Sequence, residues 1–378
     1  MTANRKKLKS DFSQSLLKWF DHHGRTSLPW QSALPWQQTR DPYHIWISEI
    51  MLQQTQVETV ISYYQKFMAR FPNIDSLANA EAEAVMTYWS GLGYYARARN
   101  LHRAAQQIRD QHDGQFPLSL DQVMALPGIG RSTASAILAF SQNARHPILD
   151  GNVKRVLTRY FAIAGYPGTK AVENQLWILA EQLTPNKRVA DYTQAIMDFG
   201  ATLCTRSGPD CSKCPINHKC LAFLQGNPTS YPTPKPKTPR LHRQSRMLLI
   251  SNSNSEYLLI KRPPSGIWGG LWVFPELSNA EQDFQCWCKK ELGIAVKSGK
   301  NMAIVHHGFT HFELEIQPIH CTVDRVSSGF MGGFMGGFMG GFIGGIMDTD
   351  RYLWYNPLAN APIAIPAAIK NIFNQLVK

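Results

Sequence analysis

Residues 125–155 read ALPGIGRSTASAILAFSQNARHPILDGNVKR, and no other stretch limits the possible folds as much. Leu126-Pro127-Gly128-Ile129-Gly130 puts two glycines in a tight turn, where a residue lacking Cβ tolerates positive φ and leaves backbone amides uncovered. The following run carries Ala134, Ile137 and Leu138 at helical spacing, so the uncovered amides open a helix and form a seat for a phosphate. Beyond a loop with Arg145, His146 and Pro147, a second run places Val153, Val156, Leu157, Tyr160 and Phe161 along one helix face. Asp150 and Asn152 stand at its start. By position Asp150 reads as an N-cap, and the order of hairpin, loop and acid admits a chemical role beside it.

A chain of 378 residues has room for two domains, each with its own core. The net charge of +12 suits a polyanionic partner, although basic proteins also bind acidic ones. The start, MTANRKKLKSDF, lacks the apolar stretch of a signal peptide, and no run of about 18 apolar residues offers a membrane span. The expectation is a soluble cytoplasmic protein, associated with the nucleoid if bacterial. Of seven cysteines, Cys204, Cys211, Cys214 and Cys220 are crowded together, which fits ligands in a reducing compartment better than a disulfide framework. Four thiolates on one loop suit either zinc or a [4Fe-4S] cluster, and zinc sites favour two C-x2-C pairs where this loop has one.

Around this frame the first half reads as helical. A near-repeat places LPWQ at residues 28–31 and again at 34–37, with Trp30 and Trp36 in matching positions. Next, Val57, Val60, Ile61, Tyr64, Phe67, Met68 and Phe71 mark the core face of a long helix. Glu49 lies upstream among Ile47, Ile50, Met51 and Leu52, where desolvation would keep an acid protonated, whereas most helical glutamates are simply solvated. WSGLGYYARAR at residues 89–99 sets Tyr94 and Tyr95 after a glycine turn and interleaves Arg97 and Arg99, a mixture suited to base stacking beside phosphate contact or to plain packing. Amphipathic segments near 170–184 and 188–203 complete an all-α domain over residues 1–224. Residues 225–243, QGNPTSYPTPKPKTPRLHR, form a stiff basic linker. Residues 244–378 then alternate strand-like runs (247–250, 257–260, 271–274) with helices near 280–292 and 363–377, an α+β pattern.

With these motifs in view, the chain resembles the helix-hairpin-helix DNA glycosylase superfamily, and ILDGNVKRVLTRY with SEIMLQQTQV resembles its adenine-specific MutY-type branch over nearly the whole length. The resemblance implies a multidomain protein: an all-α helix-hairpin-helix glycosylase domain with an iron-sulfur loop, then an α+β Nudix-like domain. It implies Glu49 as the acid that protonates adenine, Asp150 as the carboxylate serving the sugar, and Asn152 as its support. Gln53 matches the wedge, Tyr94 the intercalating aromatic, and Gln194 a contact to the adenine edge. Gly128 and Gly130 with Arg97 fall to DNA binding, and the cysteine spacing x6, x2, x5 to a [4Fe-4S] cluster. Phe309, Thr310 and His311 match the motif that reads 8-oxoguanine, with Thr for the usual Ser, which keeps the hydroxyl and adds a methyl. Lyases of the superfamily carry a lysine where this chain has Ser132, which implies a monofunctional enzyme. The implied partner is double-stranded DNA with adenine opposite 8-oxoguanine or guanine, bound by a monomer. The second LPWQ copy fits the family spacing to Glu49, and the first reads as a surface insertion.

Two rival functions are weaker. A DNA-binding scaffold would not need both Glu49 and Asp150. RPPSGIWGGLWVFPE resembles the Nudix-like domain, but a pyrophosphatase needs a glutamate-rich helix for Mg²⁺, and FQCWCKKELGI offers little beyond Glu291. Cys286, Cys288 and Cys321 read as ordinary half-buried thiols, and His306, His307 and His311 as turn histidines. FMGGFMGGFMGGFIGG, residues 330–345, repeats a four-residue unit too short for a solenoid and reads as an expanded loop or a Met/Phe contact surface.

Overall fold

The structure is a computed structural model describing residues 2–31, 40–236, 239–278, 281, 283–309, 311–326, 351–359 and 363–376. The second LPWQ copy, Thr310 and the Phe-Met-Gly-Gly repeat lie outside the described residues. Chain contacts divide the protein into two compact units, Met1–Ala80 with Arg97–Lys237, and Glu81–Ala96 with Thr238–Lys378.

The first unit is helical: α1 (Thr2–His23), α2 (Pro42–Leu52), α3 (Val57–Arg70) and α4 (Ile74–Ala78) come before the excursion of Glu81–Ala96, which holds α5 (Ala82–Trp89). It resumes with α6 (Ala96–Gln111), α7 (Leu120–Met124), α8 (Arg131–Gln142), α9 (Gly151–Tyr160), α10 (Lys170–Leu183), α11 (Val189–Asp198) and α12 (Leu221–Leu224). Two of these are apolar nearly all round, which marks helices at the centre of a bundle. On α2, Tyr43, Ile45, Trp46, Ile47, Ser48, Ile50 and Met51 are buried, and on α8 every residue from 134 to 141 is. They pack on each other, so the helix bearing Glu49 and the helix led by the glycine hairpin share one core. The long helix expected from residue 57 is α3, with Val60, Tyr64 and Phe67 inward; a corner at Gln54, whose φ is 58°, separates it from α2.

The first LPWQ copy is not the surface insertion expected of it. Trp30 is 6% exposed and meets the Tyr64 ring edge-on at 5.4 Å. Gln31 donates to the Arg25 carbonyl at 2.8 Å and accepts from the Leu28 amide at 2.9 Å. A large aromatic and a doubly bonded amide make this turn part of the core.

The second unit is built on β1 (Leu241–Ser251), β2 (Tyr257–Lys261), β3 (Trp272–Val273), β4 (Glu276–Leu277), β5 (Ile294–Val296), β6 (Lys300–Asn301), β7 (Val305–Gly308), β8 (Phe312–Val326) and β9 (Tyr352–Tyr355). Strand order is β3-β2-β1-β8-β5; β1 runs parallel to β8, and β7 forms an antiparallel hairpin with β8, pairing Gly308 with Glu313. Helices α13 (Phe284–Glu291) and α14 (Ala367–Leu376) complete it. Leu248, Ile250, Leu258, Ile294 and Ile319 form the core together with Cys288 and Cys321, so two of the stray thiols are deeply buried packing groups, while Cys286 is exposed. Helix α5 groups with this sheet for a visible reason: Glu83 accepts from Lys261 Nζ and from Trp272 Nε1, both at 2.7 Å.

Candidate active site

The hairpin between α7 and α8 divides its work between the two glycines. Gly128 has φ 81°, and a Cβ there would lie 2.8 Å from the Asn100 side chain, so this position excludes other residues on two counts. Gly130, at φ −90°, is the N-cap of α8 and supplies no side chain, which leaves the first-turn amides of a twelve-residue helix open toward an anion.

Asp150 caps α9: its Oδ1 accepts from the Val153 amide at 2.7 Å and its Oδ2 from Asn152 Nδ2 at 3.3 Å. Both readings of this residue therefore hold together, because a cap needs only part of the carboxylate. Asn152 is held in turn by Arg155, whose Nη2 donates to Asn152 Oδ1 at 2.8 Å and to the Gly200 carbonyl at 2.7 Å, and whose Nε donates to the Cys204 carbonyl at 2.8 Å. The backbone comes this close because α11 continues as a π-turn, Phe199–Leu203, and a Cβ on Gly200 would sit 2.7 Å from Asn152 Cβ.

Glu49 senses the charge of Asp150. Burial pushes the Glu49 carboxyl up to about 8, and the negative field of Asp150 adds to the same shift; both influences favour the proton. Burial raises Asp150 as well, but there the Val153 amide, Arg155 and Asn152 oppose it. Burial thus favours a proton on Glu49, while the donors around Asp150 favour charge there against its own burial. Each keeps some exposed surface, as a site open to substrate requires.

Other expected residues fall in different places. Ser132 Oγ accepts from the Leu149 amide at 3.0 Å, tying the first turn of α8 to the loop that delivers Asp150. Gln194 is nearly buried, and its amide nitrogen donates to Asp198 at 2.8 Å, while Asp198 also takes two guanidinium bonds and the backbone amide of Arg25. Arg97 corrects an expectation: it is 8% exposed, and its Nη1 donates to the carbonyls of Ile50, Met51 and Gln53 at 2.9, 2.8 and 2.6 Å. Its charge closes the C-terminus of α2, where the helix dipole is negative, in place of a direct phosphate contact. Gln53 is half-buried and reaches Thr133 Oγ1 at 3.4 Å. The exposed residue in left-handed conformation at that corner is its neighbour Gln54, a candidate for DNA contact that the residue order alone did not single out.

In the second unit Tyr94 is 48% exposed with φ 50°, on a turn in which Trp89 Nε1 donates to the Gly93 carbonyl at 3.1 Å. Phe309 and His311 lie at the β7–β8 hairpin tip, closed by the Phe309 amide on the Phe312 carbonyl at 2.8 Å; Phe309 is half-buried and His311 exposed. The single glutamate of α13, Glu291, is half-exposed beside Lys290, so that helix has no carboxylate set for Mg²⁺.

Cys204, Cys211, Cys214 and Cys220 all line one small pocket walled by Val156, Tyr160 and Phe199. The buried guanidinium of Arg159 strings this loop together, donating to the carbonyls of Thr205 and Arg206 at 2.7 and 2.8 Å and to Cys204 Sγ at 3.3 Å. Among the described residues no three His, Cys, Asp or Glu side chains are grouped to hold a single metal ion. Four thiols lining one small cavity are a donor set that an iron-sulfur cluster would fit, and the N–H donor on Cys204 would suit a charged sulfur. Lys213 and Lys219 on this loop are paired with Asp210 and Asp11 at 2.9 and 2.6 Å.

A buried acid whose surroundings favour its proton, raised further by a hydrogen-bonded carboxylate, beside a hairpin-led helix, is the arrangement expected of a DNA glycosylase of the helix-hairpin-helix class. The family model of the HhH-GPD superfamily base excision DNA repair proteins matches residues 47–182, and that of the NUDIX domain matches residues 246–375. The chain is 37% identical to the adenine DNA glycosylase of Buchnera aphidicola subsp. Acyrthosiphon pisum over 97% of its length and 98% of that protein. It is 32% identical to the human adenine DNA glycosylase over 81% of its length and 66% of that protein. A solved thermostable thymine-DNA glycosylase is similar in fold, with 27% identity and a TM-score of 0.51 over 59% of this chain and 99% of that one. The chain belongs to the adenine DNA glycosylase family, and is an adenine-specific DNA N-glycosylase of base excision repair. No helix among the described residues is long and apolar enough to cross a membrane.

Proposed function

We propose that this enzyme releases adenine mispaired with 8-oxoguanine or guanine and leaves an abasic site without cutting the strand. The observation that carries the chemistry is the unequal pair: Glu49 with its proton held by burial, and Asp150 with donors on both oxygens. The nucleotide must leave the stack to reach them. Glu49 donates its proton to N7 of the flipped adenine, the bond between sugar C1′ and N9 breaks with its electron pair going to the base, and adenine departs neutral. Asp150 stabilises the cationic sugar or bonds to it briefly, until water adds at C1′ and loses a proton. Asn152 and Arg155 hold that carboxylate in place, and Gln194 lines the approach to the adenine edge.

Ser132 supports the monofunctional reading, since a hydroxyl held by the Leu149 amide cannot form the imine that strand cleavage requires. The open amides after Gly128 and Gly130 bind a phosphate, Gln53 and Tyr94 enter the duplex, and Phe309, Thr310 and His311 read the opposite base. Cys204, Cys211, Cys214 and Cys220 hold a [4Fe-4S] cluster, which supplies a rigid, charged frame to the loop. The test is excision under single-turnover conditions from duplexes carrying adenine opposite 8-oxoguanine, guanine, cytosine or thymine. Release should be confined to the first two, with breaks seen only after alkali; equal release from all four would overturn the mispair reading.

A further inference from the structure

The RPPSGIWGGL turn between β2 and β3 is shaped beyond what joining two short strands needs. Its ends are tied by the Arg262 amide on the Leu271 carbonyl at 2.9 Å and the Gly270 amide on the Arg262 carbonyl at 3.1 Å. The Arg262 side chain closes it further, from Nε to the Ile267 carbonyl at 3.3 Å and from Nη1 to Glu276 at 2.6 Å. Within it Trp268 has φ 55°, the left-handed region that a bulky residue occupies only when its surroundings dictate it. Those surroundings are specific. The Trp268 ring is 8% exposed and lies 5.7 Å from the ring of His307 and 5.6 Å from that of Phe309. His307 meets Phe309 edge-on at 4.7 Å, Phe309 stacks on Phe312 at 4.4 Å, and the Arg243 guanidinium covers Phe312 at 4.6 Å. Burial lowers the His307 pKa, which favours the uncharged imidazole in the middle of the stack.

Three segments far apart in sequence thus converge on the root of one hairpin tip. We propose that Trp268 is a positioning residue for opposite-base selectivity: its ring, against His307 and Phe309, fixes the hairpin tip at Phe309 and His311 without touching DNA itself. This rests on the reading that the tip recognises the base opposite adenine. Aromatic contacts are directional, so a smaller aliphatic side chain leaves the His307 and Phe309 rings without a fixed angle.

The test uses the full chain with W268L, W268F and, as a control on the underlying reading, F309A. Single-turnover adenine release is measured opposite 8-oxoguanine and opposite guanine, alongside thermal melting. W268L should lower the ratio of the two rates by about tenfold through loss of two ring contacts, leaving release opposite guanine near wild type and lowering the melting temperature by a few degrees without unfolding the chain. W268F should recover most of the ratio. If F309A lowers the ratio while W268L leaves it intact, Trp268 has no such role; if F309A leaves it intact, the reading of the tip itself fails. A W268L chain that loses both rates equally, with W268F no better, would make Trp268 a packing residue only and overturn the proposal.

Discussion

Replacing Glu49 by glutamine should abolish adenine release and make the protein more stable at neutral pH. The folded carboxyl titrates near 8 against an ordinary 4.5, so at pH 7 folding must take up a proton that the unfolded chain lacks. Roughly two and a half pH units separate pH 7 from the ordinary value, at about 1.4 kcal/mol each, which sets a ceiling of about 3.5 kcal/mol on the cost. Because the side chain keeps some contact with water, about 1–3 kcal/mol is the working range. Glutamine has nearly the same shape and needs no proton, so Glu49→Gln should recover that amount, or several degrees in melting temperature at about 2–4 °C per kcal/mol. The sign follows from the raised pKa: the wild-type penalty grows as pH climbs from 4.5 toward 8, and the two proteins should converge as pH falls toward 4.5. Differential scanning calorimetry at several pH values, with single-turnover release at each, measures both effects. Equal melting temperatures at acid and alkaline pH would mean that Glu49 is ionised in the folded protein, and the general-acid argument would fail.

Gly200→Ala places a Cβ 2.7 Å from Asn152, so release should slow by about tenfold or more with little change in duplex affinity; an unaffected rate would detach the π-turn from the site. Ser132→Lys should add strand nicking through an imine that borohydride traps, and a wild-type protein that already traps efficiently would refute the monofunctional reading. Anaerobically purified protein should carry about four irons and four sulfides per chain; stoichiometric zinc without iron would reverse the reading of the cysteine loop.

Motifs with strict local geometry were legible in the residue order. The LPGIG hairpin announced a turn that Gly128 makes with positive φ, and the apolar company of Glu49 announced its burial and shifted pKa. The resemblance to the adenine-specific glycosylases was carried by these same motifs, and the family comparison bears it out. Features set by tertiary contact were not legible. Arg97 looked like a DNA contact because exposed and buried arginines are the same letter; only the open carbonyls of α2 decide between them. Trp30 looked dispensable because its duplicate fitted the family spacing better, yet the Tyr64 ring holds it in the core. The grouping of Glu81–Ala96 with the C-terminal sheet depends on Glu83 meeting Lys261 and Trp272, residues nearly two hundred positions away. Periodicity along one helix carries no trace of such a partner.

The account rests on a protonated Glu49, and its most direct test is the rate of adenine release from an adenine·8-oxoguanine duplex across about pH 6 to pH 10, measured in single turnover at subsaturating enzyme. A general acid titrating near 8 predicts a plateau through neutral pH, then a fall of about tenfold per unit above it, with Glu49→Gln inactive throughout. A rate that stays level or rises between about pH 8 and pH 10, or a Glu49→Gln protein that keeps the wild-type profile, would contradict it.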